Sequence, residues 1–313
     1  MEEGLRMNAA TKKTSNSSSI WERMKKWKIS YVFILPFIII FSLFTVLPIL
    51  ISVYLSLTSF DMLQAPTFIG LKNYLRMFFE DDVFIIALKN TLILAVITGP
   101  VGYILSLLFA WFINELTPLL RAVVTLVFYA PSISGNMYII WKVIFSGDSY
   151  GFANGLLQSL GVINGPVIWL KDVRYMMPIV IVVALWASLG TSFLAFIAGF
   201  QGIDHIYYEA ASVDGITNRW QELWFVTLPL MRPQMLFGAV MSITASFGIG
   251  AIITQLIDFP SVDYAVHTLQ NHLEDYGGLK YEMGYASAIA TILFLMMIGT
   301  NIVVKKLIAK VGE

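Results

Sequence analysis

The chain has 313 residues and no net charge, and it is 58% hydrophobic but only 13% charged. A soluble domain keeps roughly a quarter of its residues charged, so this balance, with a mean hydropathy of +0.75, places the chain in a lipid bilayer and leaves no basic footprint for nucleic acid. It contains no cysteine, which excludes disulfides, thiol chemistry and cysteine metal sites.

Residues 1–28 are rich in Ser, Asn and Lys and lack a short apolar core followed by small residues, so no cleavable signal peptide is expected. Within them, IWERMKKWK at 20–28 mixes Trp and Met with basic residues. That pattern suits either a helix lying on an anionic headgroup surface or a solvated basic tail.

Six apolar runs follow, near 30–57, 90–114, 120–145, 175–200, 235–257 and 284–306. Each is long enough to cross roughly 30 Å of hydrocarbon as a helix, which predicts an all-α polytopic membrane protein with six transmembrane helices. Pro36, Pro48, Gly99-Pro100 and Pro131 interrupt the first three runs. Such breaks are tolerated where neighbouring helices or water satisfy the freed backbone groups. The run 83–88 is too short to span and is expected as a separate surface helix. With both termini placed in the cytoplasm, 13 of the 20 Lys and Arg residues lie inside and seven outside. Acidic residues run the other way, nine inside and 11 outside. This bias rests on the N-terminal tail and on Lys305, Lys306 and Lys310, because the 201–233 loop is itself acidic.

That loop is the most informative stretch of the chain. Asp204 is an expected N-cap, and Ile203, Ile206, Tyr207, Ala210 and Val213 fall at helical spacing. Gly215 permits a sharp turn. Asn218, with Gln221 three residues on, resembles a capping box opening a second helix whose apolar face is Trp220, Leu223, Trp224 and Thr227. Pro229 is expected to stop this helix near Leu228.

Glu209-Ala210-Ala211, three residues, Gly215, and then Val226-x-Leu228-Pro229 together resemble the EAA loop of binding-protein-dependent ABC importer permeases, in their carbohydrate (maltose-type) branch. One departure is present: ten residues lie between Gly215 and Val226, where the family has nine. The resemblance implies a permease subunit of the bacterial cytoplasmic membrane that imports a sugar or oligosaccharide. Its implied partners are two copies of an ABC ATPase, a second, similar permease and an extracellular solute-binding protein. It further implies a tail at 1–28, a permease domain at 29–308 with its coupling loop at 203–229, and a cytoplasmic end at 309–313. In the loop, Glu209 would pair with a basic group, Gly215 would allow the elbow, and Trp220 and Trp224 would bury in the ATPase cleft or at the bilayer rim. Leu228 and Pro229 would close the motif.

The connections at 58–89, 146–174 and 258–283 would then lie outside, either receiving the binding protein or merely capping the bundle. SGDSYG at 146–151, with Asn154, Gly155 and Trp169-Leu170, reads as an ordered hairpin of short helices, and Pro260 and Gly277-Gly278 mark turns in the last connection.

No GxxxxGK[ST] phosphate loop is present, so the chain is not expected to split ATP, and no cofactor or metal is expected. His205, His267 and His272 do not cluster with carboxylates at metal-ligand spacing and read as loop residues, while Glu274-Asp275 reads as a solvated face rather than a catalytic carboxylate pair. Away from their ends the runs hold no charged residue but Lys142, which argues against an ion-coupled carrier. A path for a neutral hydroxylated solute is expected at Trp186, Ser188 and Thr191 on one run and Ser242, Ser246 and Thr254 on the next, with Asn136 and Tyr138 as weaker candidates. The alternative is that these hydroxyls only ease helix contact. Other readings are the same architecture importing glycerol phosphate, or a self-sufficient channel or secondary carrier. A membrane-embedded enzyme lacks a catalytic constellation.

Overall fold

The computed structural model describes residues 27–135 and 138–309. Nearly all of the basic tail, the candidate Asn136 and residues 310–313 lie outside the described residues. The chain divides into two compact units, one up to Ile51 and one from Ser52 onward. The described part of the first is taken up by helix α1 (Lys28–Leu55), whose last residues pass into the second unit. A π-helical turn at Ser42–Val46 precedes Pro48. The ring of Pro48 leaves the carbonyl four residues back, that of Phe44, without its usual donor, and that residue lies inside the wider turn.

The second unit opens on a short antiparallel pair, β1 (Thr58–Ser59) and β2 (Thr67–Phe68), with Thr58 opposite Phe68. Asn73, on α2 (Lys72–Phe79), donates to the carbonyls of Ser56 and Thr58 at 2.9 Å each and fastens α2 to this pair. Then comes α3 (Asp82–Asn114), an unbroken helix of 33 residues. The stretch 83–88 is therefore not a separate surface helix. Asp81 caps α3 by accepting from the Phe84 amide at 3.0 Å, and the first turns continue into the apolar run without a break at Gly99-Pro100.

Next come α4 (Pro118–Ile133) and α5 (Tyr138–Ile144), which lie at 88° to one another, and α6 (Phe152–Ser159). The 146–170 hairpin is organised by the fully buried Asn154. Its amide donates to the carbonyls of Ser146, Asp148 and Val167, and its oxygen accepts from the Val167 amide and Trp169 Nε1. The remaining helices are α7 (Val173–Ala187), α8 (Thr191–Gln201), α9 (Ile206–Val213), α10 (Arg219–Leu230) and α11 (Arg232–Phe247). After them come α12 (Gly250–Leu256), α13 (Leu269–Glu274) and α14 (Met283–Ala309).

Among the described residues four helices are long and apolar enough to cross a membrane: α1, α3, the α7–α8 run and α14. Counting the bent pairs α4–α5 and α10–α11 as one span each raises the number to six. The run predicted at 235–257 is two helices, because α11 ends at Phe247 and α12 begins at Gly250.

Helix α3 is the axis of the unit. Its Ala110, Trp111 and Ile113 pack with Phe193, Phe196 and Phe200 of α8 and with Leu223, Leu228, Met231 and Met235. Leu94 joins Met176, Val180 and Val183 of α7 and Ile253 of α12, while Phe84 and Ala87 join Met77, Leu269, Tyr285 and Ile289. Glycine permits the close approaches: a Cβ on Gly102 would fall 2.9 Å from Ser188 Cβ.

Candidate functional site

Two sites on this scaffold carry the residues singled out in the sequence. The first is the 203–229 loop. Asp204 Oδ1 accepts from the Ile206 amide at 3.1 Å and starts α9. Gly215 ends it at φ +94°, in the left-handed region that side-chain-bearing residues rarely enter. The Gly215 amide donates to the Ser212 carbonyl at 3.3 Å and the Ile216 amide to Ala211 at 3.0 Å, the paired bonds of a left-handed helix end. Asn218 Oδ1 then accepts from the Gln221 amide at 2.9 Å, and Gln221 Oε1 accepts from the Thr217 amide at 3.1 Å. This is the expected box, shifted outward by one residue on its return bond.

Helix α10 departs from expectation in two ways. Leu223–Thr227 form a π-helical turn, after which the helix runs through Pro229 to Leu230 rather than stopping near Leu228. A π turn holds one residue more than an α turn, so the ten-residue interval between Gly215 and Val226 has a place to absorb its extra residue without breaking the helix. The second departure is in burial. Leu223, Thr227 and Leu228 are buried, whereas Trp220 and Trp224 are each 64% exposed, so only one edge of the predicted face is buried.

The two arms are bound to each other and to the bundle. Tyr208 Oη lies 3.0 Å from Thr227 Oγ1 across the elbow. Arg219 pairs with Glu222 at 2.7 Å and, at 3.2 Å, with Glu115 just past the end of α3. The Trp220 ring meets Trp111 of α3 edge-on with centroids 4.9 Å apart. Ala211 faces inward, while Glu209, 3.2 Å from His205 Nδ1, projects with Ala210, Trp224 and Phe225.

The second site is a cavity of about 610 Å³ midway along α3, within the size range of small-molecule pockets. Three interruptions of the apolar runs converge on it: Pro131–Gly135 at the end of α4, Ser188–Thr191 between α7 and α8, and Gly248-Ile249 between α11 and α12. Irregular backbone at membrane depth is stable only when buried in protein or lining a wet cavity. Among the described residues its wall holds no Asp, Glu, Lys, Arg or His, and its polar groups are hydroxyls and one amide, that of Gln255.

Ser188, Thr191, Ser242, Ser246 and Tyr138 are brought together in this wall. Trp186 does not line it and packs edge-on against Trp141 at 5.5 Å. Thr254 is also outside the wall and accepts from Asn271 Nδ2 at 2.9 Å. Polar wall residues that went unread in the sequence include Thr98, Tyr129, Ser132, Ser134, Thr244, Gln255 and Ser192, whose Oγ lies 3.2 Å from Ser242 Oγ. For Ser192 the available signal was position: it lies two residues after the Gly190 break. Ser188 and Ser246 hold their hydroxyls on the carbonyls of Leu185 and Ile243, at 2.6 and 2.8 Å, within their own helices.

A third polar cluster gathers two of the histidines with a carboxylate: His267 lies in a loop as expected, whereas His272 lies on α13. His267 and His272 are buried, with ring nitrogens 3.3 Å apart, and His272 Nε2 lies 3.0 Å from Asp81 Oδ2 at the start of α3. Burial raises the pKa of Asp81, but hydrogen bonds from His272, Tyr285 and the Phe84 amide outweigh it and hold the carboxyl well below its ordinary value. Burial, and then the neighbouring His272, push His267 down to about 4. Glu274 is likewise not simply solvated: it accepts from Gln270 Nε2 at 3.2 Å, and Asp275 pairs with Lys280 at 2.7 Å.

No protein-family model matches the chain. It is 34% identical over 276 residues to a probable ABC transporter permease protein, YesP, of Bacillus subtilis, covering 85% of this chain and 86% of that one. It is 32% identical over 234 residues to the lactose transport system permease protein LacF of Rhizobium radiobacter, covering 73% and 75%. Among solved structures, it is similar to a chain of a bacterial ABC transporter involved in the import of the acidic polysaccharide alginate. That match has a TM-score of 0.71 and 25% identity, over 91% of this chain and 98% of that one.

Proposed function

The chain belongs to the carbohydrate permeases of the ABC transporters, and from that premise we propose that it forms half of an import channel for a sugar or oligosaccharide, driven by a separate ATPase docked on its 203–229 loop. It is a membrane transport subunit. The observation that carries this reading is the placement of two features along one helix: a hydroxyl-lined cavity without charge beside the middle of α3, and a braced loop at its end that projects Glu209, Ala210, Trp224 and Phe225.

In this reading residues 29–308 are the permease domain, with six spans and both termini in the cytoplasm, residues 1–28 its tail and 309–313 its end. The fifth span is α10–α11 or α11 alone, and α12 dips back from the far side. The 203–229 loop then lies in the cytoplasm, where Glu209 and Ala210 meet the ATPase, Gly215 holds the elbow, and Trp220 and Trp224 cover the contact. Of the wall hydroxyls expected from the sequence, Thr191 and Ser242 face the solute path, while Ser188 and Ser246 set the wall's position against α3 at Gly102 and Gly99. A similar but non-identical second permease supplies the other half, two ATPase copies supply the energy, and an extracellular binding protein delivers the solute. Glycerol phosphate and other anions fit less well, because no described cation on this chain lines the cavity.

The test is reconstitution. The chain, co-expressed with a partner permease and an ABC ATPase of its source organism and placed in vesicles with a solute-binding protein, is expected to import a neutral oligosaccharide only with ATP. Flux through the chain alone, or failure to retain any ATPase on purification, would overturn the reading.

A further inference from the structure

The contacts of α3 reach beyond the cavity to both of its ends. At about 1.5 Å per residue its 33 residues extend about 50 Å without a break. At the C-terminal end, Glu115 holds Arg219 and Trp111 holds the Trp220 ring, the two groups that open the second arm of the loop. Arg121 closes the same end by donating to the carbonyls of Asn114 and Leu116 at 2.8 and 3.1 Å.

Midway there is no slack: a Cβ on Gly99 would fall 3.3 Å from Ser246 Oγ, and one on Gly102 would fall 2.9 Å from Ser188 Cβ, so the backbone of α3 rests on two cavity-wall residues. At the N-terminal end Asn90 donates to the carbonyls of Tyr264 and His267 at 3.0 Å each, Thr91 Oγ1 accepts from the Leu269 amide at 2.9 Å, and Asp81 holds His272. The chain from Ser261 to Glu274 is therefore fastened to the same helix that carries the loop.

We propose that Glu115 and Trp111 are positioning residues which bind the 203–229 loop to α3, so that the two move as one body. Helix α3 then delivers the displacement of the loop both to the cavity wall and to the 258–279 segment at its far end. The Glu115–Arg219 pair is half exposed and contributes little stability by itself. Its role is geometric: it fixes the direction in which a push on the loop acts along the helix axis. The inference rests on the reading of the loop as the ATPase dock.

The chain has no cysteine, so a single Asp258→Cys substitution, at an exposed position in the far segment, gives a clean reporter for a membrane-impermeant maleimide. In the assembled transporter with its ATPase, labelling is compared in nucleotide-free and vanadate-trapped states, which requires no knowledge of the solute. Glu115→Lys, which repels Arg219, is expected to shrink the ATP-driven change in labelling by about 2- to 30-fold, and Glu115→Gln by less. ATPase retention and thermal unfolding are expected to stay at wild-type values, because Glu115 is half exposed and a merely structural role would move the melting temperature instead.

Trp111→Phe, which keeps the ring contact, is expected to retain the change. A full ATP-driven change in Glu115→Lys would overturn the proposal. Loss of ATPase retention in that variant would overturn it too, since Glu115 would then belong to the docking face. If the unaltered chain holds no ATPase, the docking reading itself fails, an outcome visible before any Glu115 variant is made.

Discussion

His272 sets Nε2 3.0 Å from Oδ2 of Asp81, although 191 residues separate them in the chain and both side chains are buried. The same carboxylate oxygen accepts from Tyr285 Oη at 2.7 Å. Removing the carboxylate leaves the buried groups that bond to it unsatisfied, at about 1–3 kcal/mol. Asp81→Ala is expected to lose about that much stability, read as thermal unfolding in detergent, and Asp81→Asn less, because an amide oxygen still caps the Phe84 amide. Equal stability of Asp81→Ala and the unaltered protein would show that the pair contributes nothing.

Acid should weaken the same region. His267 sits at about 4 in the folded chain against an ordinary 6.5, so between these values the unfolded chain binds a proton that the folded chain refuses. Stability is therefore intact above about pH 6.5 and falls as pH drops toward 4, by about 3 kcal/mol in all, then levels for this group. The depressed carboxyl of Asp81 adds its own loss only below its ordinary value of 3.8. Melting temperatures measured from pH 8 to 4.5 should slope in the native chain and flatten in His267→Gln.

Much of this molecule was legible because lipid demands long apolar runs and because the loop carries its own turn chemistry. Asn218 and Gly215 act within a few residues of themselves, so their roles can be read locally. What stayed hidden depends on packing or on distance along the chain. Trp220 and Trp224 sit at helical spacing from Leu223 and Thr227, yet which edge of that stripe meets the bundle depends on where α3 packs, which local spacing does not carry. The breaks at Gly190 and Gly248 lie inside runs of span length, where scattered Ser and Thr lower the hydropathy too little to mark a helix end. Nothing near Asp81 announces His272, and nothing near Glu115 announces Arg219.

Gly215 separates backbone strain from crowding. A Cβ there would meet nothing within 4 Å, so any penalty comes from φ +94° alone. A β-branched residue should cost about 1–2 kcal/mol locally, and Asn less, since its short polar side chain tolerates left-handed backbone. Gly215→Val is expected to abolish uptake while the chain still inserts at wild-type levels; Gly215→Asn is expected to retain part of it, and Gly215→Asp, which tolerates the same backbone but adds a charge to an already acidic loop, to lose it. Wild-type uptake by Gly215→Asp would count against the elbow as a coupling element.

Gly102 probes the cavity wall from behind. It faces Ser188, whose Cβ and Oγ would stand 2.9 and 3.0 Å from an added methyl group, closer than side-chain atoms pack. Ser188 cannot swing away freely, because its hydroxyl donates to Leu185 at 2.6 Å and its carbonyl accepts from Ser106 Oγ at 3.2 Å. The methyl of Gly102→Ala must therefore push the α7–α8 break toward the cavity or α3 away from it. Overpacking of this kind costs about 1–3 kcal/mol, and here it should also reduce uptake. Ser188→Gly removes the obstructing atoms, so the double variant should recover both melting temperature and uptake relative to Gly102→Ala. If the two changes simply add, Gly102 and Ser188 are not in the opposition described, and the wall is set by other contacts.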